Sequence, residues 1–519
     1  KWVNQIDGLG CTFGHNINYE EIWMKKFFKF KKKLNSWSNR DLTLEGKKLL
    51  INSYIMSSMS YLVDLYPNNI PSNFIKQTRE LIRDFIWNSK TWRISQKNLG
   101  LQKKHGGLEL QDLDNFIECK KLKWILKIHF SVLQKWNAIG KNYISKYDRK
   151  FGVDNLLLKC SNLNGLVLNM PSFYKVILNT WCDLQKKKKV NSKEKILSQN
   201  IFGNHNIAKN KQSLFFANWS KCNIVLVSDI WNIDTNNWKD STEILDKLRI
   251  KRNWISEYNK IKDYFSNEWK QILRDQPIVQ NTDLVHFGKE IELNSSEVLC
   301  QSKIIDFHKV KQKDLYYILL YPVPTPTCVL KWNEILETDY SIDELFHEKR
   351  HFMYNRKMYN FHWKLLHRII FSEMKLRLMN KSDGKCKICK RENESIKHLI
   401  FECSEITLLW AKIEDFISET LDFHVDINLN NVVIGVNSDV CNGDMYVKIY
   451  INFVILNTKW LIWKNRNDVK YNTISKNANE LFNCSVKQCQ SEAKLIVSSM
   501  YNSRLHPNLK IMLNDLIDN

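Results

Sequence analysis

Between Cys386 and Cys403 the chain reads CKICKRENESIKHLIFEC, and no other stretch restricts its local fold as tightly. The spacing is Cys-x2-Cys-x8-His-x4-Cys. A Cys-x2-Cys turn presents two thiols from one bend. His398 and Cys403, five residues apart, lie about one and a half helical turns apart and can converge on that bend. Three thiolates and one imidazole, from Cys386, Cys389, His398 and Cys403, form the tetrahedral donor set of a closed structural Zn2+ site, with no position left open for catalysis. The competing reading is chance clustering among 13 cysteines. Lys385, Lys387, Lys390 and Arg391 surround the four and are expected to lower the thiol pKa values and to contact phosphates.

The rest of the chain favours helices. In 519 residues there are only 15 glycines and 8 prolines, too few for a sandwich of short strands and tight turns, while 44% hydrophobic residues allow large cores. The expected fold class is mainly α: a thumb-like helical bundle, a mixed middle region and a C-terminal helical domain carrying the Cys-Cys-His-Cys zinc site. The net charge is +23, which points to a polyanionic partner, nucleic acid first. A drift toward lysine in AT-rich coding DNA is the alternative source of that charge. Scattered cysteines, odd in number, fit a reducing compartment better than a disulfide framework. The most apolar stretch, Tyr446 to Trp463, is interrupted by Lys448, Asn452, Asn457 and Lys459, so no membrane association is expected. The chain starts Lys1-Trp2-Val3, without a signal peptide or an initial Met, and reads as a fragment.

Hydrophobic periodicity predicts a basic amphipathic helix over 20–37, with Ile22, Trp23, Phe27, Phe30, Leu34 and Trp37 on one side and lysines filling most other positions. Its lysine face reads either as a solvated face over a core stripe or as a phosphate-facing surface. A second helix is predicted over 41–65, capped by Thr43, and a third from Ser72 to about Trp87 with Lys76, Arg79 and Arg83 outward. Gly100, Gly106 and Gly107 punctuate a loop over 97–110, as a plain turn or as a phosphate cradle. A helix follows from Asp112 to about Leu133. The basic segment 183–213, with Lys186 to Lys189 in a row, reads as a loop or linker. Short strands mixed with helices are expected over 214–318, and the proline-rich run Tyr321 to Cys328 reads as an extended boundary.

The residues around the cysteine cluster resemble a known family. Upstream stands FHWKLLHRIIFSEMKLRLMNKSDGKC, from Phe361 to Cys386, and downstream His398 to Trp410, ending Leu-Leu-Trp. This is similar to the zinc-binding domain at the C-terminus of LINE-type (non-LTR) retrotransposon reverse transcriptases. Lys459-Trp-Leu-Ile-Trp-Lys-Asn-Arg466 resembles the helix that follows it there. Near the N-terminus, Gly8 to Gly14 resembles the primer-grip hairpin after the polymerase palm, Leu34 to Lys47 with Ile51 to Ser53 resembles the start of the thumb, and Lys104-His-Gly-Gly-Leu-Glu-Leu110 a segment beyond it. The likeness covers roughly 1–130 and 315–470. His367, in the Trp-Lys-Leu-Leu-His run, reads as a packed core histidine, with a metal-ligand role as the alternative.

The resemblance implies consecutive domains: a palm and primer-grip remnant over 1–19, a thumb-like bundle with its following helix over 20–133, a connection over 134–320, and the zinc-binding domain with C-terminal helices over 321–519. It implies binding of template–primer through Arg40, Lys47, Lys48, Arg79 and Arg83, and of element RNA or target DNA by the zinc domain. The expected partners are RNA and DNA, and the fingers and palm of the parent polyprotein, in a nuclear and cytoplasmic setting. The two Mg2+ ions of polymerisation belong to palm aspartates of the intact parent enzyme. This chain contains no Asp-Asp dipeptide and no Pro-Asp signature after Cys403, so neither polymerase nor endonuclease activity is expected of it alone. Two other histories fit the same residues: a host-recruited zinc-containing interaction protein, and a decayed remnant without function.

Overall fold

A computed structural model describes residues 5–8, 11–130, 138–140, 142, 170–187, 190–248, 253–275, 290–293, 303–306, 311–320, 325–346, 355–437, 439–441, 443–472, 475–498 and 505–518. The fold is mainly helical, as the scarcity of glycine and proline predicts. Among the described residues, strands occur only as four short two-stranded antiparallel sheets.

The N-terminal third runs β1 (Gln5–Gly8), β2 (Cys11–Gly14), α1 (Tyr19–Ser38), α2 (Leu44–Leu50), α3 (Ser57–Leu65), α4 (Ser72–Trp87), α5 (Gln96–Gly100) and α6 (Leu113–Phe130). Thr43 caps α2 by accepting from the Gly46 amide. One π turn, Ile51–Met56, joins α2 to α3, so the helix predicted over 41–65 is helical from 44 onward but not regular. The expected end of α6 near Leu133 lies outside the described residues.

The chain forms two compact units, each assembled from three stretches. One comprises Lys1–Asn35, Asn52–Leu81 and Gln111–Pro322. There, β1 pairs with β2 in the register Gln5↔Gly14 to Gly8↔Cys11, and the Tyr66 hydroxyl donates to the Thr12 carbonyl at 2.7 Å. Trp23, Phe27, Phe30 and Leu34 form the buried stripe of α1, with Trp23 tilted against Phe74 at 4.8 Å. Burying such a stripe supplies most of a helix's stability in water.

In the same unit α6 meets α3, where Lys120 pairs with Asp64 at 3.1 Å and the Trp124 indole donates to the Asp64 carbonyl. It also packs against α7 (Ser172–Lys187), which α8 (Lys193–Leu197) follows. The segment 183–213 is therefore no linker. Leu184, Ile196, Leu197, Ile201 and Phe202 are buried in one core with Trp181, Trp219 and Trp231. Their lysine neighbours gave the segment its polar character. Lys188 and Lys189 lie outside the described residues.

The second unit comprises Ser36–Ile51, Ile82–Leu110 and Val323–Asn519. Its later helices are α9 (Thr327–Leu336), α10 (Ile342–Phe346), α11 (Arg356–Leu366), α12 (Glu373–Arg377), α13 (Ser404–Leu421), α14 (Leu429–Ile434), α15 (Met445–Asn472), α16 (Ala478–Ser498) and α17 (Pro507–Asp518). Helix α15 is the axis: Tyr450, Ile451, Val454, Ile455 and Ile462 are buried, and α11, α14, α16 and α17 pack around it. Among the described residues, no helix is long and apolar enough to cross a membrane.

Two motifs read separately in the sequence meet inside this unit. The Gly106 carbonyl accepts from the Trp363 indole at 2.9 Å and from His367 Nε2 at 2.7 Å. Gly106 has φ 79°, and a Cβ there would stand 2.8 Å from the Phe346 ring; one on Gly107 would stand 1.9 Å from the Leu101 carbonyl oxygen. The glycine pair is thus a close-packed turn that receives α11. His367 is buried, with its ring against Phe346 and Trp363. Burial pushes its pKa down to about 4, against the hydrogen bond to Gly106.

Candidate metal centre

The centre grows out of a short knuckle. Gly384, at φ 84°, turns the chain into Lys385, which bridges to Asn393. The Cys386 amide donates to the Glu392 carbonyl at 2.8 Å, and the Lys390 amide to the Cys386 carbonyl at 2.9 Å. Lys390 takes a left-handed conformation with φ 59°. That turn places Cys386 and Cys389 on one side. His398 opens a π turn (His398–Glu402) rather than an α-helix, and Cys403 follows it as the N-cap of α13. The wider turn carries the five-residue spacing. The Trp410 indole pins it by donating to the Ile400 carbonyl at 2.8 Å.

The Sγ atoms of Cys386, Cys389 and Cys403 and one ring nitrogen of His398 lie within 4.8 Å of one another. His398 Nε2 stands 3.4 Å from Cys389 Sγ. That is close to the edge of a tetrahedron built on metal–ligand bonds of about 2.0–2.3 Å. Cys386, His398 and Cys403 are buried and Cys389 is half-buried. The thiols compete for charge. A hydrogen bond with Cys403, then burial, pushes the Cys386 thiol up, and the same hydrogen bond holds Cys403 down. The mutual hydrogen bond is the largest cause at both thiols. Three closely packed sulfurs and one imidazole nitrogen are a donor set suited to a divalent cation. The residues therefore fit zinc, which would supply a structural cross-link between the knuckle and α13.

Two acids that periodicity did not single out complete the surroundings. Glu392 Oε2 stands 3.1 Å from His398 Nδ1, so the carboxylate aims Nε2 at the thiols. Glu394 is fully buried and accepts from Arg466 Nη2 at 2.9 Å and from the Glu373 amide at 2.9 Å. Arg466 Nη2 also reaches Glu373 at 2.5 Å, and Lys470 pairs with Glu373 at 2.6 Å. Burial pulls the Glu373 carboxyl up, yet the hydrogen bonds from Lys470 and Ser382 and the charge of Arg466 leave it below the usual range. The only sequence signal for either acid was its presence in a stretch otherwise rich in lysine and arginine.

The basic residues expected to bind nucleic acid fall in several places. Lys385 and Arg391 are exposed; Lys385 Nζ donates to the Arg391 carbonyl at 3.0 Å, and Arg391 to Ser404 Oγ at 3.1 Å. Lys390 is exposed and Lys387 pairs with Asp383 at 2.9 Å. These four share the knuckle. Arg40 is exposed over the Trp37 ring at 4.2 Å, and Lys47 donates to Asn88 at 2.9 Å. Arg79 is bound in a two-point pair by Asp114, and Arg83 by the adjacent Asp84 at 2.8 Å. Lys48 is 7% exposed, with its ammonium 3.4 Å from Glu45 and 3.8 Å from Glu109.

Residues 336–410 match a protein family described as zinc-binding in reverse transcriptase. The match spans α10, α11, α12, the knuckle and the first turns of α13, so it contains all four candidate metal ligands. This part of the chain is similar to the zinc-binding region associated with reverse transcriptases.

Proposed function

We propose that the chain is the nucleic-acid-holding portion of a LINE-type reverse transcriptase and acts by binding template–primer and element RNA or target DNA, with zinc as a structural element. The observation that carries this reading is the closed Cys3His centre inside the matched region, ringed by Lys385, Lys387, Lys390 and Arg391. A net charge of +23 supports it. Polymerisation is assigned to other residues of such an enzyme, because this chain has no Asp-Asp pair to hold its metal ions.

The test is fluorescence anisotropy of the zinc-loaded chain with labelled RNA, duplex DNA and an RNA–DNA hybrid at rising salt. Four phosphate contacts at the knuckle alone predict a loss of affinity of roughly a hundredfold between 50 and 200 mM salt. A binding constant that stays flat over that range, or primer extension by this chain, overturns the proposal.

A further inference from the structure

Immediately before the knuckle, α12 ends in a tight turn whose apolar side chains face solvent. Leu378 is 87% exposed, Met379 47% and Met374 42%. Met374 and Leu378 stand four residues apart on one face. The turn is well braced. The Leu378 amide donates to the Met374 carbonyl at 3.1 Å, that of Asn380 to Arg377 at 2.9 Å, and that of Lys381 to Leu376 at 2.9 Å. At its root, buried Glu373 is held by Arg466 and Lys470. An almost fully exposed leucine on such a support forgoes the stabilisation that burial gives.

The surroundings define what would cover it. Between 375 and 391 stand seven basic residues and a single acid, Asp383. Three side chains fall well short of the roughly 800 Å² per partner of a stable protein interface, and lysine is depleted from the cores of such interfaces. An apolar prong beside exposed Arg377 and Lys381, in a stretch of sequence rich in cations, matches nucleic acid where a base face is open. The cations meet phosphates, and the apolar tip stacks on or wedges into the terminal base step.

We propose that Leu378, flanked by Met374 and Met379, seats against the last base pair at a junction between duplex and single-stranded nucleic acid, while Arg377 and Lys381 engage the neighbouring phosphates. The proposal rests on the nucleic-acid reading above and adds the structure that is recognised.

The experiment uses the full zinc-loaded chain and two DNAs of equal phosphate number. One is a duplex with a single-stranded overhang and 2-aminopurine at the junction; the other is a closed dumbbell with no open end. The wild-type chain should prefer the junction about tenfold, in the range that stacking one base contributes. It should also raise 2-aminopurine fluorescence as the base unstacks. In the triple variant Met374→Ser, Leu378→Ser, Met379→Ser, the preference and the fluorescence change should vanish, while dumbbell affinity, salt dependence, melting temperature and zinc content stay unchanged. A triple variant that keeps the junction preference overturns the wedge and leaves the nucleic-acid reading standing. No binding to either DNA at low salt overturns both. Binding to phosphatidylserine vesicles that the triple variant loses, without any junction effect, overturns the wedge in favour of a lipid surface.

Discussion

Glu392 does for His398 what no ligand can do for itself: it holds Nδ1 at 3.1 Å and so fixes which ring nitrogen faces the thiols. Glu392→Gln should weaken zinc binding about 10- to 100-fold, measured by competition with a chromophoric chelator, while the four ligands stay in place. An unchanged affinity would show that the carboxylate does no orienting. Lys459 is a second residue whose surroundings decide its chemistry. It is buried in α15, donating to the Val432 carbonyl, and burial lowers its pKa from the ordinary 10.5 to about 7. Between those values the unfolded chain holds a proton that the folded chain has released, so stability rises with pH; below about 7 both states are protonated and the burial penalty stands in full. Lys459→Met should therefore remove part of the rise in the urea midpoint between pH 7 and 9. If wild type and variant show parallel pH profiles, Lys459 does not titrate in that window.

At the scale of elements, Arg466 joins three pieces: the long helix α15, the start of α12 through Glu373, and the knuckle through Glu394. Arg466→Met leaves buried Glu394 without its cation and Glu373 with Lys470 alone, and a loss of about 3–5 kcal/mol is expected in chemical denaturation. Adding Glu373→Gln and Glu394→Gln to that variant should recover part of it; no recovery would mean that packing, not charge, makes the arginine necessary. Local features of this kind were visible in the sequence to different degrees. Helices α1 and α4 were predicted over 20–37 and Ser72 to Trp87 and found over Tyr19–Ser38 and Ser72–Trp87, because a repeating apolar stripe is local information. The cysteine and histidine spacing was readable for the same reason. Periodicity gave no hint that Gly106 serves Trp363 and His367, since that pairing joins residues 257 and 261 positions apart. Segment 183–213 misled because lysine density masked Leu184, Ile196 and Phe202. Ligand spacing alone does not separate the π turn at His398 from an α-helical turn, because the two differ by about one residue per turn.

At the scale of the whole chain, a net charge of +23 should act on rates as well as on affinity. A field of one sign draws a polyanion in before any specific contact forms, so the salt sensitivity expected of binding should appear partly in the association rate. Connectivity across the chain has a consequence of another kind, through the Gly106 carbonyl that accepts from Trp363 and His367. A nascent chain exposes Phe85, Trp87, Leu99, Leu101 and Leu108, all buried in the finished unit, long before the residues of α11 exist. At ribosomal speeds of 5–20 residues per second, the wait from Gly106 to His367 lasts roughly 13 to 50 s. Throughout that interval these apolar side chains lack the part of their unit that α11 supplies. A recombinant fragment beginning near 323 would carry every zinc ligand and still lack the turn that α11 was shaped to meet.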